Sequence, residues 1–441
     1  MTTTATVGVD STAPANTLVL FISAAAVVLA SHALSVGPWL LRGVLLFGGI
    51  SGVLAATTPY WLHKSSSRIA LATLGVVLAA ALLWRIPIQA YAGVTRYQST
   101  IELLVGVSLL RKVSLRAHFD AWLAERAGRV QPPLRASLLC VLSCLLAAPL
   151  SVGAVAILCG SLTNVVKSKT TLAVVSMRSM GATMFVLPTT AGAAIVSASL
   201  PALERRELLR LGAPLAVAVL LSCSVRRVEL SVAPRAPDEG ERASLWPLGL
   251  FWVLVALLMT VTPLHGATAI ALAACATFVV DAAYQRRTRE QVRSDVRHAL
   301  SGVTAELVLL FACGILTGFL ACAPLPEGLK AALHHWVATP AAAAGLVLFV
   351  LPLFSLFGAH PVVLFSLTFP LLERRVLGGG AREYLVWATM FALAQLVSPT
   401  STSARLAAGS LGLSSRRVSW GTHARFATAL ASAVWLYVVW V

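Results

Sequence analysis

The sequence predicts an all-α polytopic membrane protein with two inverted repeats, about 11 transmembrane helices and two re-entrant hairpins. Three observations support this fold class: the apolar composition, the spacing of the apolar runs, and short motifs that recur in the two halves. Of the 441 residues, 58% are hydrophobic and only 12% are charged. Soluble domains carry about 25% charged residues. This chain therefore has too few charges to solvate a globular surface, and the lipid bilayer is its expected environment.

The excess of basic residues is explained by membrane topology. The formal net charge is +17, which in a soluble chain would suggest a nucleic-acid partner. Here Lys and Arg stand in short clusters between apolar runs, the pattern that marks cytoplasmic loops. We therefore expect no nucleic-acid partner and a multi-pass location in a bacterial-type cytoplasmic (inner) membrane.

Sequence motifs for catalysis, cofactors and metals are missing. The seven cysteines form no CxxC pair and lie in or beside apolar runs. This is expected of packing residues and not of a metal site or a disulfide framework. A nucleotide-binding loop, a dinucleotide fingerprint, HExxH and GxSxG are also missing. The sequence predicts that the protein is not an enzyme and uses no cofactor other than a coupling ion, either H⁺ or Na⁺.

The chain divides into two halves around a polar segment. The N-terminal tail lacks a basic region, so we expect no cleavable signal peptide. The predicted divisions are a polar tail (1–16), a first transmembrane half (17–225, repeat unit 101–225), a cytoplasmic linker (226–243) and a second transmembrane half (244–441, repeat unit 302–441).

Apolar runs of two lengths occupy these halves. Runs suited to a single crossing are 17–34, 38–57, 69–84, one that begins at Glu102, 211–224, 244–264, 267–284, 301–322 and 424–441. Four longer runs exceed the roughly 20 residues of a spanning helix and are interrupted by Pro or Gly. Of these, 136–166 and 339–372 predict re-entrant hairpins, and 170–202 and 383–413 predict broken helices.

Two short motifs recur in the halves at nearly the same interval. Glu102-Leu-Leu corresponds to Glu306-Leu-Val, and Ala182-Thr-Met-Phe to Ala388-Thr-Met-Phe. Chance identity is a fair alternative in an Ala- and Leu-rich chain. The shared interval, followed each time by a Pro/Thr-rich break, favours repetition. We expect both glutamates to begin their helices, where the helix dipole favours a carboxylate.

The basic clusters orient the two repeat units oppositely. The loops at 63–68, 226–242 and 286–297 are predicted to be cytoplasmic. An amphipathic arm after the first repeat's opening helix is also basic; it contains Arg111, Lys112, Arg116, Arg126, Arg129 and Arg135. Its counterpart, 322–339, holds only Lys330 and suits the outside. The expected topology has the N-terminus inside and the C-terminus outside.

The order of helix, amphipathic arm, hairpin and broken helix, repeated with inversion, resembles the ion transporter superfamily, and most of all the divalent anion/sodium symporter arrangement. The resemblance implies elevator-like transport by a homodimer. In that family each hairpin tip carries Ser-Asn-Thr, which binds sodium and substrate carboxylate. The matching tips here are Ser151-Val152-Gly153 and Gly358-Ala359-His360. Only the serine of the sodium-binding motif is kept, so the resemblance does not distinguish Na⁺ from H⁺ as the coupling ion.

The candidate binding residues lie at the two tips and the two helix breaks, where unwound backbone can bind ions. They are Ser151, Gly153, Pro188, Thr189, Thr190, Gly358, Ala359, Ser398, Pro399, Thr400, Ser401, Thr402 and Arg405, with His360 as the candidate for ion coupling. Each has a structural alternative. Hydroxyls can repair hydrogen bonds lost at proline, Arg405 can extend to the membrane interface, and His360 can cap a helix. Arg178 is a weaker candidate than Arg405, because it lies nearer a basic cluster.

These residues predict an ion-coupled secondary transporter of a small anion, in particular an organic acid with a carboxylate. One alternative is an exporter of a metabolite or toxic oxyanion. Another is a membrane receptor or assembly subunit that does not transport. Flux driven by an imposed gradient separates transport from the last alternative.

Overall fold

The computed structural model describes residues 97–116, 125–126, 128–163, 166–200, 203–226, 228–230, 246–262, 266–322, 328, 335–372 and 376–440. The polar tail, the first three predicted spans (17–34, 38–57 and 69–84) and most of the linker lie outside the described residues. The described part is helical. Its extended pairing is limited to one isolated antiparallel bridge between Val166 and Leu230.

Six helices form the described part of the first half. They are α1 (Gln98–Arg116), α2 (Pro132–Leu150), α3 (Gly153–Leu162), α4 (Lys169–Val186), α5 (Ala191–Ser199) and α6 (Arg205–Ser224). Two of them begin with recognisable signals. Prolines occupy the first turn of α2, where a missing N–H costs nothing. The Ser168 side chain caps α4 by accepting a hydrogen bond from the Thr171 N–H.

The second half continues with ten helices and one π-helical segment. They are α7 (Trp246–Val261), α8 (Gly266–Tyr284), α9 (Arg289–Cys322), α10 (Pro340–Gly345), the π segment (Leu346–Val350), α11 (Leu351–Leu356), α12 (Pro361–Thr368), α13 (Gly380–Val397), α14 (Thr402–Leu411), α15 (Ser415–Val418) and α16 (Trp420–Trp440). The segments α10, π and α11 form one continuous arm, and Pro352 follows the π segment.

The interruptions lie where the sequence predicts them. The run 136–166 turns at Ser151 between α2 and α3, and the run 339–372 turns at 357–360 between α11 and α12. The runs 170–202 and 383–413 break at 187–190 and 398–401. Thus a long helix, a helical hairpin and a broken helix follow one another in the same order in each half.

Two predictions about helix ends are wrong. Glu306 does not begin a helix, because α9 starts at Arg289 and runs for 34 residues. At 1.5 Å per residue this helix is about 51 Å long, so part of the predicted loop 286–297 is a helical extension. The predicted arm is also shorter, since Arg111 belongs to α1 and Arg135 to α2.

The two broken helices pack against each other at the centre of the described structure. α4 and α13 are in contact, and a Cβ built on Gly181 would lie 3.7 Å from the Cβ of Ala392. The recurring segments Ala182–Phe185 and Ala388–Phe391 are buried. Small residues allow such close approach between apolar helices. The repeated motif therefore has a packing role.

The helix α1 is held to α8 and α9. Glu102 is the fifth residue of α1, and its carboxylate accepts a hydrogen bond from the Thr268 hydroxyl of α8 at 2.8 Å. The Tyr97 hydroxyl lies 3.2 Å from the Thr317 hydroxyl of α9 and 3.1 Å from the Ser366 hydroxyl of α12. This buried cluster joins the start of α1 and α9 to α12. The predicted N-terminal dipole role of Glu102 is therefore replaced by an interhelical hydrogen bond.

Three described segments are long and apolar enough to cross a membrane: Lys169–Ser199, Arg205–Ser224 and Gly266–Tyr284. The shorter apolar helices include both arms of the first hairpin, the arm from α10 to α11, and α7. A segment that enters the bilayer and returns to the same side has arms shorter than a spanning helix.

Candidate functional site

The first helix break follows from Pro188. Proline has no N–H, so the carbonyl four residues earlier, that of Met184, loses its helical hydrogen bond. In the structure, the Tyr384 hydroxyl of α13 donates to this carbonyl at 2.7 Å. A side chain of the second half thus satisfies the backbone of the first half. The carbonyl that Pro188 frees is therefore satisfied by a tertiary contact.

The second break is satisfied locally. Pro399 releases the carbonyl of Gln395, and the hydroxyls of Ser401 and Ser403 donate to it at 2.8 and 3.2 Å. The Ser398 and Thr400 hydroxyls lie 2.9 Å apart. The structural alternative for these hydroxyls, repair of a proline break, is therefore observed at Ser401.

Two buried polar atoms at the breaks have no hydrogen-bond partner among the described residues. They are the Thr189 hydroxyl in the first break and the side-chain oxygen of Gln395 beside the second. Thr190 caps α5 by accepting from the Ala193 N–H at 3.4 Å, while Thr402 is the first residue of α14 and is half-buried. Buried polar atoms are normally hydrogen-bonded. Thr189 is therefore the hydroxyl of the first break that is best placed to meet a ligand or water.

Replacing Tyr384 with phenylalanine tests the repair of the first break. The variant keeps the buried ring but leaves the Met184 carbonyl without a donor. We expect a loss of about 1–3 kcal/mol of unfolding free energy, measured by denaturant unfolding in detergent micelles. Tyr437→Phe on the half-buried face of α16 is the matched control and should change little. Equal stability of the two variants would contradict the assigned hydrogen bond.

The first hairpin tip has an unusual backbone and a nearby arginine. Ser151 is buried and has φ of 48° and ψ of −127°, a conformation that is costly for a residue with a side chain and that often marks a functional site. Arg111 approaches from α1, since a Cβ built on Gly153 would lie 3.6 Å from its Cδ. The Arg111 Nε is buried and has no hydrogen-bond partner among the described residues.

Arg111 is the residue that the sequence prediction missed. The charge pattern places it in a cytoplasmic arm, because five further basic residues follow it. Lys112 and Arg116 continue the same pattern, so the sequence does not distinguish Arg111 from the rest of the arm. The turn at Ser151 was predicted, and it is this turn that brings Gly153 beside Arg111.

The second hairpin tip lies against the second break. Gly358 has φ of 97°, in the region that favours glycine, and a Cβ built on it would lie 4.0 Å from the Cγ2 of Thr400. His360 caps α12, where its Nδ1 accepts a hydrogen bond from the Val362 N–H at 3.3 Å. The helix-cap alternative for His360 is therefore observed. Ala359 lies between these two residues and is half-buried.

The candidate residues do not all converge. Arg405 lies on the exposed face of α14, and its side chain makes no hydrogen bond or ion pair with any described residue. No hydrogen bond within the described ranges joins the first tip to either break. The two halves do meet here, because α3 packs against α14 and the Ser410 hydroxyl lies 3.5 Å from the Ala156 carbonyl.

No family model and no curated protein matches the chain. Among solved structures, it is similar to the YdaH transporter of Alcanivorax borkumensis, with 15% sequence identity and a TM-score of 0.37 over 96% of this chain and 98% of that chain. The likeness covers almost the whole of both chains but is weak by both measures.

Proposed function

We propose that the protein is an ion-coupled secondary transporter of a small organic anion, with the two hairpins and the two broken helices forming the moving unit. The observation that carries this proposal is the unpartnered, buried Nε of Arg111 beside the Ser151–Gly153 turn. A guanidinium without a carboxylate partner is costly inside an apolar protein. A bound carboxylate would supply the missing acceptor, and the planar fork of arginine suits it.

The first turn of α3 adds to this preference for an anion. The helix begins at Gly153, and its first backbone N–H groups have no partner within the helix. The positive end of the helix dipole therefore points to the same place as Arg111. In this proposal the carboxylate of the substrate lies between Arg111 and the start of α3. The hydroxyls of Thr189 and Thr400, at the two helix breaks, would form hydrogen bonds with the other polar groups of the substrate.

Coupling would arise at the second tip or at the breaks. Nδ1 of His360 accepts the hydrogen bond that caps α12, so the neutral ring carries its hydrogen on Nε2, and a coupling proton would bind at Nδ1 and break the cap. Sodium would instead require the carbonyl and hydroxyl oxygens at 398–401. We propose elevator-like movement in a homodimer embedded in the cytoplasmic membrane, with α1, α8 and α9 in the stationary part, so that Arg111 would contact the carboxylate only while α3 lies beside α1.

Proteoliposome flux tests the proposal. Uptake of radiolabelled dicarboxylates is measured under separately imposed proton and sodium gradients, with wild type, Arg111→Gln and Arg129→Gln. Arg129 belongs to the same predicted arm but is 66% exposed and pairs with Glu125, so it is a matched charge control. We expect gradient-driven uptake that Arg111→Gln lowers at least about a hundredfold, the effect of removing one or two charge-assisted hydrogen bonds, and that Arg129→Gln leaves unchanged.

Three other results of this flux experiment would change or contradict the proposal. Loss of uptake in Arg405→Gln but not in Arg111→Gln would move the anion contact to α14. Uptake that persists unchanged in both variants would contradict an arginine clamp. Folded wild-type protein without flux in either direction would contradict transport and favour a receptor or assembly subunit.

A further inference from the structure

A second arginine-rich site lies away from the hairpin tips, between α4, the end of α6 and the start of α16. It is an open cleft of about 500 Å³, a volume within the usual range for small-ligand sites, about 300–1,000 Å³. Its wall includes three arginines and two aromatic residues: Arg178, Arg226, Arg425, Trp420 and Phe426. We call this the arginine cleft. None of its lining residues carries a carboxylate.

Arg178 is the buried member of the arginine cleft, with only 4% of its surface exposed. Its Nε donates to the Nδ1 of His423 at 3.3 Å, and one terminal nitrogen donates to the Thr422 carbonyl at 3.3 Å. Its guanidinium carbon lies 3.9 Å from the ring centre of Phe426. These contacts fix the guanidinium in place. They do not neutralise it, because all of its described partners are uncharged.

The other two arginines are exposed and carry no ion pair within the described part of the chain. The described carboxylate closest in sequence to Arg226 is that of Glu229, which pairs with Lys167 at 3.3 Å. Three guanidinium groups around one cleft repel one another. An anion in the cleft would remove this repulsion and provide the counter-charge that Arg178 lacks.

We propose that the arginine cleft binds a phosphate-bearing anion. Guanidinium groups bind phosphate oxygens through paired hydrogen bonds, and Trp420 at the rim suits a membrane–water interface. The cleft joins α4 and α6 of the first half to α16 of the second. A bound phosphate would therefore bridge the two halves. This inference does not depend on the proposed transport activity.

Two sources can supply such a phosphate: an anionic lipid headgroup or a soluble phosphate compound. By the expected topology, Lys167, Arg226 and Arg416 lie on the cytoplasmic side, where the leaflet is anionic and basic pockets between helices bind lipid headgroups. The two sources share the same chemistry at the arginines and differ in the need for acyl chains. A binding experiment with two probes can separate them.

The experiment uses the full chain in an uncharged detergent and follows thermal unfolding during two titrations. One adds inorganic phosphate against chloride at equal ionic strength, and the other adds phosphatidylglycerol against phosphatidylcholine in mixed micelles. The test variant is Arg226→Gln with Arg425→Gln, since both side chains are exposed and their loss should not disturb folding. The control is Arg206→Gln with Arg210→Gln, two exposed arginines toward the opposite end of α6.

We expect wild type and the control to be stabilised by at least one phosphate probe, and the test variant to bind that probe at least about tenfold more weakly, the loss of one charge-assisted interaction. Stabilisation by phosphatidylglycerol alone identifies a lipid headgroup, and stabilisation by both probes identifies a free phosphate site. Binding by neither probe, or equal weakening in the test and control variants, would overturn the proposal.

Discussion

Replacing Gly212 with alanine should destabilise the protein by about 3 kcal/mol, the upper part of the usual range for overpacking a core. Gly212 brings α6 against α4 immediately before the first helix break. A Cβ at this position would overlap the carbonyl oxygen of Phe185 and lie 2.8 Å from its carbonyl carbon. Both atoms belong to backbone, so they cannot move as a flexible side chain would. The two helices would have to separate, and the break at Pro188 would shift with them.

The matched control for this prediction is Gly249→Ala in α7. Gly249 is exposed and a Cβ built there has no atom within 4 Å. Alanine in a helix interior is favoured over glycine by about 0.5–1 kcal/mol, so the control should be as stable as wild type or slightly more stable. The free energy of unfolding in detergent micelles measures both. A Gly212→Ala protein as stable as the control would contradict the close approach of α6 and α4.

Replacing Arg287 with alanine should destabilise the protein by about 3–5 kcal/mol, the usual cost of breaking a buried ion pair on one side. Arg287 connects α8 to α9 by pairing with Asp281 and with Asp295, the latter at 3.3 Å. All three side chains are at least nine-tenths buried. Removal of the guanidinium would leave two carboxylates close together in a site from which most water is excluded.

Two further variants separate this network from a general charge effect. Arg289→Ala removes an exposed arginine two residues away and should change the unfolding free energy by less than about 0.5 kcal/mol. Adding Asp281→Asn and Asp295→Asn to Arg287→Ala should restore part of the lost stability, because the two carboxylates that faced Arg287 are then replaced by neutral amides. If the triple variant is less stable than Arg287→Ala alone, repulsion between the carboxylates is not the cause of the loss.

The interruptions of the long apolar runs were predictable from the sequence because their causes are local. Pro188 and Pro399 remove an N–H wherever the chain places them, so the helices end near 187 and 398 in any packing arrangement. Run length predicts interruptions in 136–166 and 339–372, because a run of more than 30 residues exceeds one crossing, and the family resemblance places the turns at Ser151 and Gly358. The start of α9 was predicted wrongly, since a polar, charged segment can be helical as well as a loop.

The apolar class of the chain and the two helix breaks are predictable from composition and from residues adjacent in the chain. The contacts between distant residues come from tertiary packing. It placed Arg111 beside Gly153, Tyr384 on the carbonyl freed by Pro188, and the three arginines around one cleft. These contacts join residues that are distant in the chain, and hydrophobic periodicity carries no information about which distant faces meet.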